Sequence, residues 1–171
     1  MSGRTQVLLL GGRSGVGKTS VAHEIHAQLA ARQVRHCIVE GDNLDLAYPA
    51  PWAHGLAEKN LRAIWRNYVA LGYSRLVLTN TVSVTMSDEI AEAMGDNPRV
   101  IGVLLTCSDR STRDRLTRRE IGSGLEVHLA RSAQAALELD DVSPAWVSRV
   151  STEDRAVEDV ALEIIDITGW A

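Results

Sequence analysis

The sequence predicts an α/β fold built on a mainly parallel β-sheet. Three observations point there. Short apolar runs of strand length alternate with helix-patterned segments along the whole chain. A glycine-rich turn, Gly12-Arg13-Ser14-Gly15-Val16-Gly17-Lys18-Thr19, joins the first apolar run to the first helix pattern. The length of 171 residues and the 45% of hydrophobic residues suit one domain, 1–171, with a sizeable core.

The elements follow in order. Strand one covers 6–11, where Val7, Leu8, Leu9 and Leu10 suit a strand buried on both faces. Helix one covers 18–32, with Val21, Ala22, Ile25 and Leu29 on its inner side. Strand two is 36–40. A loop over 41–54 follows, broken by Pro49 and Pro51. The next helix spans 56–71, with Leu61, Ile64, Trp65, Tyr68 and Val69 as its apolar stripe. Strand three is 75–80, a short helix covers 86–94, and strand four is 100–107. An Arg-rich helix over 109–121 precedes the hinge-like Gly122-Ser123-Gly124, and another helix runs to about 139. Strand five at 146–151 and a last helix at 156–167 complete the order. Right-handed crossovers should cover both sheet faces, and ligands should gather at the carboxyl ends of the strands.

The glycine-rich turn matches G-x-x-x-x-G-K-S/T at every fixed position. Strand, turn and helix start together make an anion cradle of inward N–H groups, reinforced by the helix dipole. Residues Gly12 to Ser20 are therefore the expected nucleotide-binding segment. Lys18 is placed to reach the β- and γ-phosphates, and the Thr19 hydroxyl to bind Mg²⁺. The rival dinucleotide fingerprint begins at Gly15-Val16-Gly17 but meets Ser20 where a third glycine or alanine belongs.

Glu40-Gly41-Asp42-Asn43 lies where strand two ends, on the same sheet edge as the loop. A carboxylate there can take a proton from a substrate hydroxyl or hold a water on Mg²⁺. Asp42 is the first choice for base and a second metal contact, with Glu40 the alternative base. Asn80 ends strand three near the expected γ-phosphate and joins Asn43 as a candidate acceptor contact. Tyr48 and Trp52 either line the acceptor pocket or cover the core. Five arginines fall between 110 and 119, and Arg115, Arg118 and Arg119 share a helix face. Arginine suits the stabilisation of a transferred phosphoryl group, so Arg115 and Arg119 are the leading candidates, ahead of Arg118 and Arg131.

The remaining composition narrows the classes. A net charge of −4 argues against a general nucleic-acid surface. Cys37 and Cys107 sit in or beside apolar runs and are expected to be reduced core thiols. His23 and His26 lack metal-ligand spacing. No stretch of about 18 apolar residues exists, and no leader pattern precedes the loop, so a cytoplasmic setting without membrane contact is expected.

The loop, followed by Val39-Glu40-Gly41-Asp42-Asn43-Leu44, resembles the small P-loop kinases around adenylylsulfate kinase. That family carries Asp-Gly-Asp-Asn after strand two and Glu-Asn-Ile-Arg-Arg on a downstream helix. Lys59-Asn60-Leu61-Arg62-Ala63 falls at the latter place and retains Asn60 and Arg62, so the resemblance implies Arg62 as a further candidate acceptor contact, with a solvated helix face as the alternative. Gluconate kinases and small nucleoside or nucleotide kinases share the architecture. The chain departs from the pattern at Glu40, Asp45, Leu56-Ala57 and Ala63, and it has no Phe. The resemblance implies a three-layer P-loop NTPase sandwich with a five-stranded sheet and an Arg-rich helical lid at about 110–131. It also implies an ATP- and Mg²⁺-dependent phosphotransferase acting on a small-molecule acceptor, whose identity it leaves open, as it does the oligomeric state. A regulatory ATP-binding NTPase without such an acceptor is the alternative. The Asn-Lys-x-Asp tetrad of GTPases is absent, and Asp88-Glu89 follows too polar a segment for a motor.

Overall fold

The computed structural model describes residues 4–119 and 124–171, with the Arg119 side chain outside that set. Five strands form one parallel sheet: β1 (Gln6–Gly11), β2 (Cys37–Glu40), β3 (Arg75–Thr79), β4 (Arg99–Thr106) and β5 (Ser148–Ser151). Their spatial order is β2-β3-β1-β4-β5. Among the described residues six α-helices connect or flank them: α1 (Lys18–Ala31), α2 (Leu56–Ala70), α3 (Ser87–Met94), α4 (Asp109–Arg119), α5 (Leu125–Val142) and α6 (Val157–Thr168).

The alternation of β1 explains the three layers. Leu8 and Leu10 point into one core, shared with Val21, Ile25 and Leu29 of α1 and Val160 and Ile164 of α6. Val7 and Leu9 point into the other, with Leu61 and Trp65 of α2, Ile90 of α3 and Leu139 of α5. A strand buried on both faces must be apolar at successive positions, as β1 is from Val7 to Leu10. Because all strands run the same way, their carboxyl ends share one rim. That rim carries the glycine-rich loop, the Gly41–Asn43 turn, Asn80, and Thr152 after β5.

Most expected boundaries move by one or two residues. β5 starts at Ser148, not at 146, because Trp146 packs over the sheet: a Cβ on Gly102 of β4 would lie 2.6 Å from its ring. Within 41–54 the chain forms two 3-10 turns, Gly41–Asn43 and Trp52–His54. Val69 of the expected α2 stripe is 42% exposed, since Leu61 and Trp65 already fill the face that meets the sheet. Both cysteines are free thiols, and burial pushes that of Cys37 up to about 12. The expected hinge at Gly122-Ser123 and the end of the Arg-rich helix lie outside the described residues.

His36, just before β2, is buried. Its Nδ1–H donates to the Val34 carbonyl at 2.8 Å, which leaves Nε2 to accept from His26 Nδ1 at 2.9 Å. Burial holds its pKa below the ordinary histidine value; the Val34 bond opposes this, and the nearby His26 and Arg75 charges add to it. The folded protein therefore binds this proton less readily than the unfolded chain. Stability should fall as pH drops below about 6.5, by at most about 1.4 kcal/mol per pH unit for one proton. Urea midpoints from pH 7.5 to 5 should decline, with a shallower slope in His36→Gln. A midpoint that rises on acidification contradicts this.

Candidate active site

The loop is shaped by what surrounds it. Gly12 has φ 138°, and a Cβ there would lie 2.8 Å from the Leu105 carbonyl and 2.9 Å from Val16. Only glycine fits this close pass of the loop over β4. Gly17, with φ 109°, starts α1, and its carbonyl accepts the Val21 N–H at 2.9 Å. The amides of this turn and the helix N-terminus beside them suit a negative charge. Lys18 Nζ lies over the loop and donates to the carbonyls of Gly12 (2.7 Å) and Arg13 (3.2 Å). A cleft of about 110 Å³ is lined by loop residues, including Ser14, Lys18, Thr19 and Ser20, together with Glu40 and Asp42.

The two carboxylates differ. Glu40 pairs in register with Thr79 of β3, and the Thr79 hydroxyl donates to its Oε2 at 2.6 Å. Its Oε1 is buried without a hydrogen-bond partner among the described residues. Leaving a buried carboxylate oxygen unpaired is costly. Asp42 is exposed, with Oδ1 accepting from Asn80 Nδ2 at 3.0 Å. Gly41 makes the step between them possible: a Cβ there would sit 2.6 Å from the Thr79 carbonyl. On its far side Asp42, with Asn80, faces a second cavity of about 640 Å³, walled by Asp45, Trp52, Leu56 and Glu58.

Other candidates are placed differently. Asn43 is exposed in the same turn but lines neither of these cavities. Arg62 lies away from both, its Nε donating to the Ala93 carbonyl at 3.4 Å, because α2 turns that face toward α3. Of the two loop aromatics Trp52 lines the larger cavity, while Tyr48 is wholly exposed. Arg118 and Arg131 are exposed. Arg13 is not a surface residue of the loop: it is 5% exposed, its Nε donates to Ser132 Oγ at 2.9 Å, and its guanidinium pairs with Asp109.

Arg115 lies beside the loop, as expected of it, but its guanidinium is engaged. Nη1 donates to the Val16 carbonyl (2.9 Å) and to Thr152 Oγ1 (3.0 Å), and Nη2 to the Thr152 carbonyl (3.0 Å). Thr152 Oγ1 also donates to Val16 O at 2.9 Å. Arg115→Ala should cost about 2 kcal/mol of stability, as for charged hydrogen bonds in a partly buried setting. Lysine should not restore it, since one ammonium cannot span the same acceptors. A thermal melt of both variants checks this, and an unchanged melting point refutes it. Thr79, Thr152 and Ser132 support the site, and sequence reasoning missed all three as single hydroxyl residues without a motif.

A central parallel strand, a glycine-rich loop into a helix, and carboxylates at the end of β2, one strand beyond β3 on the same rim, define the class: a P-loop kinase, a phosphotransferase. The family model for adenylylsulphate kinase matches residues 4–115, and the chain belongs to that family. Solved structures share the fold. The adenylylsulphate (APS) kinase of Mycobacterium tuberculosis, in complex with AMPPNP and APS, is 21% identical over 97% of this chain and 98% of its own, with a TM-score of 0.58. A Deinococcus radiodurans tunicamycin resistance protein is 18% identical over 98% of each chain, with a TM-score of 0.67. Shikimate kinase from Acinetobacter baumannii, in complex with shikimate, is 17% identical over 96% of this chain and 93% of its own, with a TM-score of 0.59. No curated protein matches the sequence. Among the described residues no helix is long and apolar enough to cross a membrane.

Proposed function

We propose that the protein transfers the γ-phosphoryl group of ATP to a hydroxyl of a small molecule held in the larger cavity. The observation that carries this reading is the position of Asp42, which lines both the loop cleft and that cavity. The acceptor oxygen attacks the γ-phosphorus, its proton passes to Asp42, and the bond to the β–γ bridging oxygen breaks, releasing ADP with that electron pair. Lys18 and the loop amides of residues 12–20 hold the phosphates. Asn80 holds the Asp42 carboxylate in place through Nδ2.

Mg²⁺ prefers hard oxygen donors, one or two from protein and the rest from phosphates and water. The Thr19 hydroxyl and the carboxylates of Glu40 and Asp42 around one cleft fit that demand and would hold the ion or its waters, and the Glu40 Oε1 without a hydrogen-bond partner among the described residues leaves negative charge there uncompensated. When bound, the ion neutralises charge on the β- and γ-phosphates. The difference in burial supports a division of labour in which exposed Asp42 acts as base and Glu40, tied to Thr79, would serve the metal's water shell. Arg115 braces the loop from behind; Arg119, whose side chain lies outside the described residues, stays a candidate for contact with the transferred phosphoryl group.

ATP turnover measured with and without a panel of hydroxyl compounds tests the reading. Stimulation by an acceptor, with a phosphorylated product of matching mass, is the expected result. Slow hydrolysis that no small acceptor stimulates marks a nucleotide switch instead.

A further inference from the structure

The walls of the larger cavity restrict what can enter it. Asp42, Asp45 and Glu58 line it, and a smaller recess sharing Gly41, Glu58 and Asn80 adds Glu89. Among the described residues no Lys, Arg or His lines either space. The two cations in the middle of the α2 motif are turned elsewhere: Lys59 Nζ donates to the His54 carbonyl at 2.8 Å, and Arg62 Nε to that of Ala93. The cavity also meets the start of α2 at Leu56, where the helix dipole alone favours an anion. Glu58, in the first turn, opposes that preference. Apolar side chains complete the wall. Leu46 is 81% and Trp52 78% exposed, so both offer uncovered surface on the cavity side.

From this we infer that the acceptor carries no anionic group. It is a hydroxyl compound with an apolar face for Leu46, Leu56 and Trp52, and with hydrogen-bond donors, hydroxyl or protonated amine, for Asp45 and Glu58. Ionised carboxylates only accept hydrogen bonds. A sulphate, phosphate or carboxylate placed among three of them gains no donor and meets like charge, a device that excludes wrong ligands. The inference rests on the kinase reading above and concerns the acceptor class alone. The hydroxyl that reacts faces Asp42, and its proton and phosphoryl group move as described there.

The test uses acceptors matched in skeleton: a hexose, its 2-amino derivative and its sugar acid, then a nucleoside and its 5′-monophosphate. Adenylylsulphate and shikimate are added as further anions. With magnesium ATP, acceptor-dependent ADP release and product mass are measured for the full chain. The neutral or amine member should exceed its anionic twin in kcat/KM by about tenfold or more. Asp45→Asn and Glu58→Gln, both near-isosteric, should each lower kcat/KM for the amine member by about tenfold and narrow its lead over the sugar acid, while KM for ATP holds. Faster transfer to the anionic twins overturns the inference and leaves the kinase standing. So does discrimination unchanged in both variants. Hydrolysis of ATP with transfer to no member of the panel overturns the kinase reading, and this inference with it.

Discussion

Asp42→Asn is expected to lower kcat by about 10²–10⁴-fold, the range that a positioned general base supplies, while ATP affinity holds. The side chain is exposed and its single described bond is to Asn80, so an amide of the same shape should disturb neither fold nor loop. What is lost is the capacity to accept the acceptor's proton. Glu40→Gln should behave differently. The amide oxygen can keep the bond from Thr79, but the residue that lines the cleft loses its charge. Its signature should be a raised requirement for Mg²⁺. Titrations of ATP and Mg²⁺ against initial rate separate the two. Collapse of ATP affinity in Asp42→Asn, with kcat intact, refutes the assignment and makes Asp42 a binding residue.

Lys18→Ala should reduce turnover about 10²–10³-fold, the cost of deleting one preorganised donor aimed at developing charge. The ammonium already rests over the loop, bonded to the Gly12 and Arg13 carbonyls at its rim. Little reorganisation then separates this position from phosphate oxygens in the same cleft. Lys18→Arg should not rescue the rate, because the broad planar fork does not fit where a compact charge sits. Steady-state kinetics with a melt as folding control decide the matter. Near-normal turnover in Lys18→Ala removes the loop from the reaction.

The layered parallel sheet was legible because its signals are local. β1 is apolar at four consecutive positions, and Gly17-Lys18-Thr19 marks the helix start by itself. The Glu40–Asp42 turn was legible as a pair. The difference between its two side chains was not, since what ties Glu40 down is Thr79, a partner 39 residues away in sequence but adjacent in register. Arg115 was legible as a charge near the loop. That its donors serve Val16 and Thr152 depends on how β5 ends beside β4. Arg62 misled because a motif gives spacing and no orientation, and the helix face it occupies looks at α3. The acidic wall of the larger cavity escaped notice for a related reason: Asp45 and Glu58 come together only through the fold of the intervening loop.

The Ser14 and Val16 carbonyls accept from Ser132 on α5 and from Thr152 past β5, at 2.8 and 2.9 Å. Both supports lie beyond residue 115, where the family match stops. A chimera that borrows only residues 4–115 would therefore inherit the cradle without its rear struts. Swaps intended to move this nucleotide-handling unit between scaffolds must carry α5 and the turn after β5 along with it.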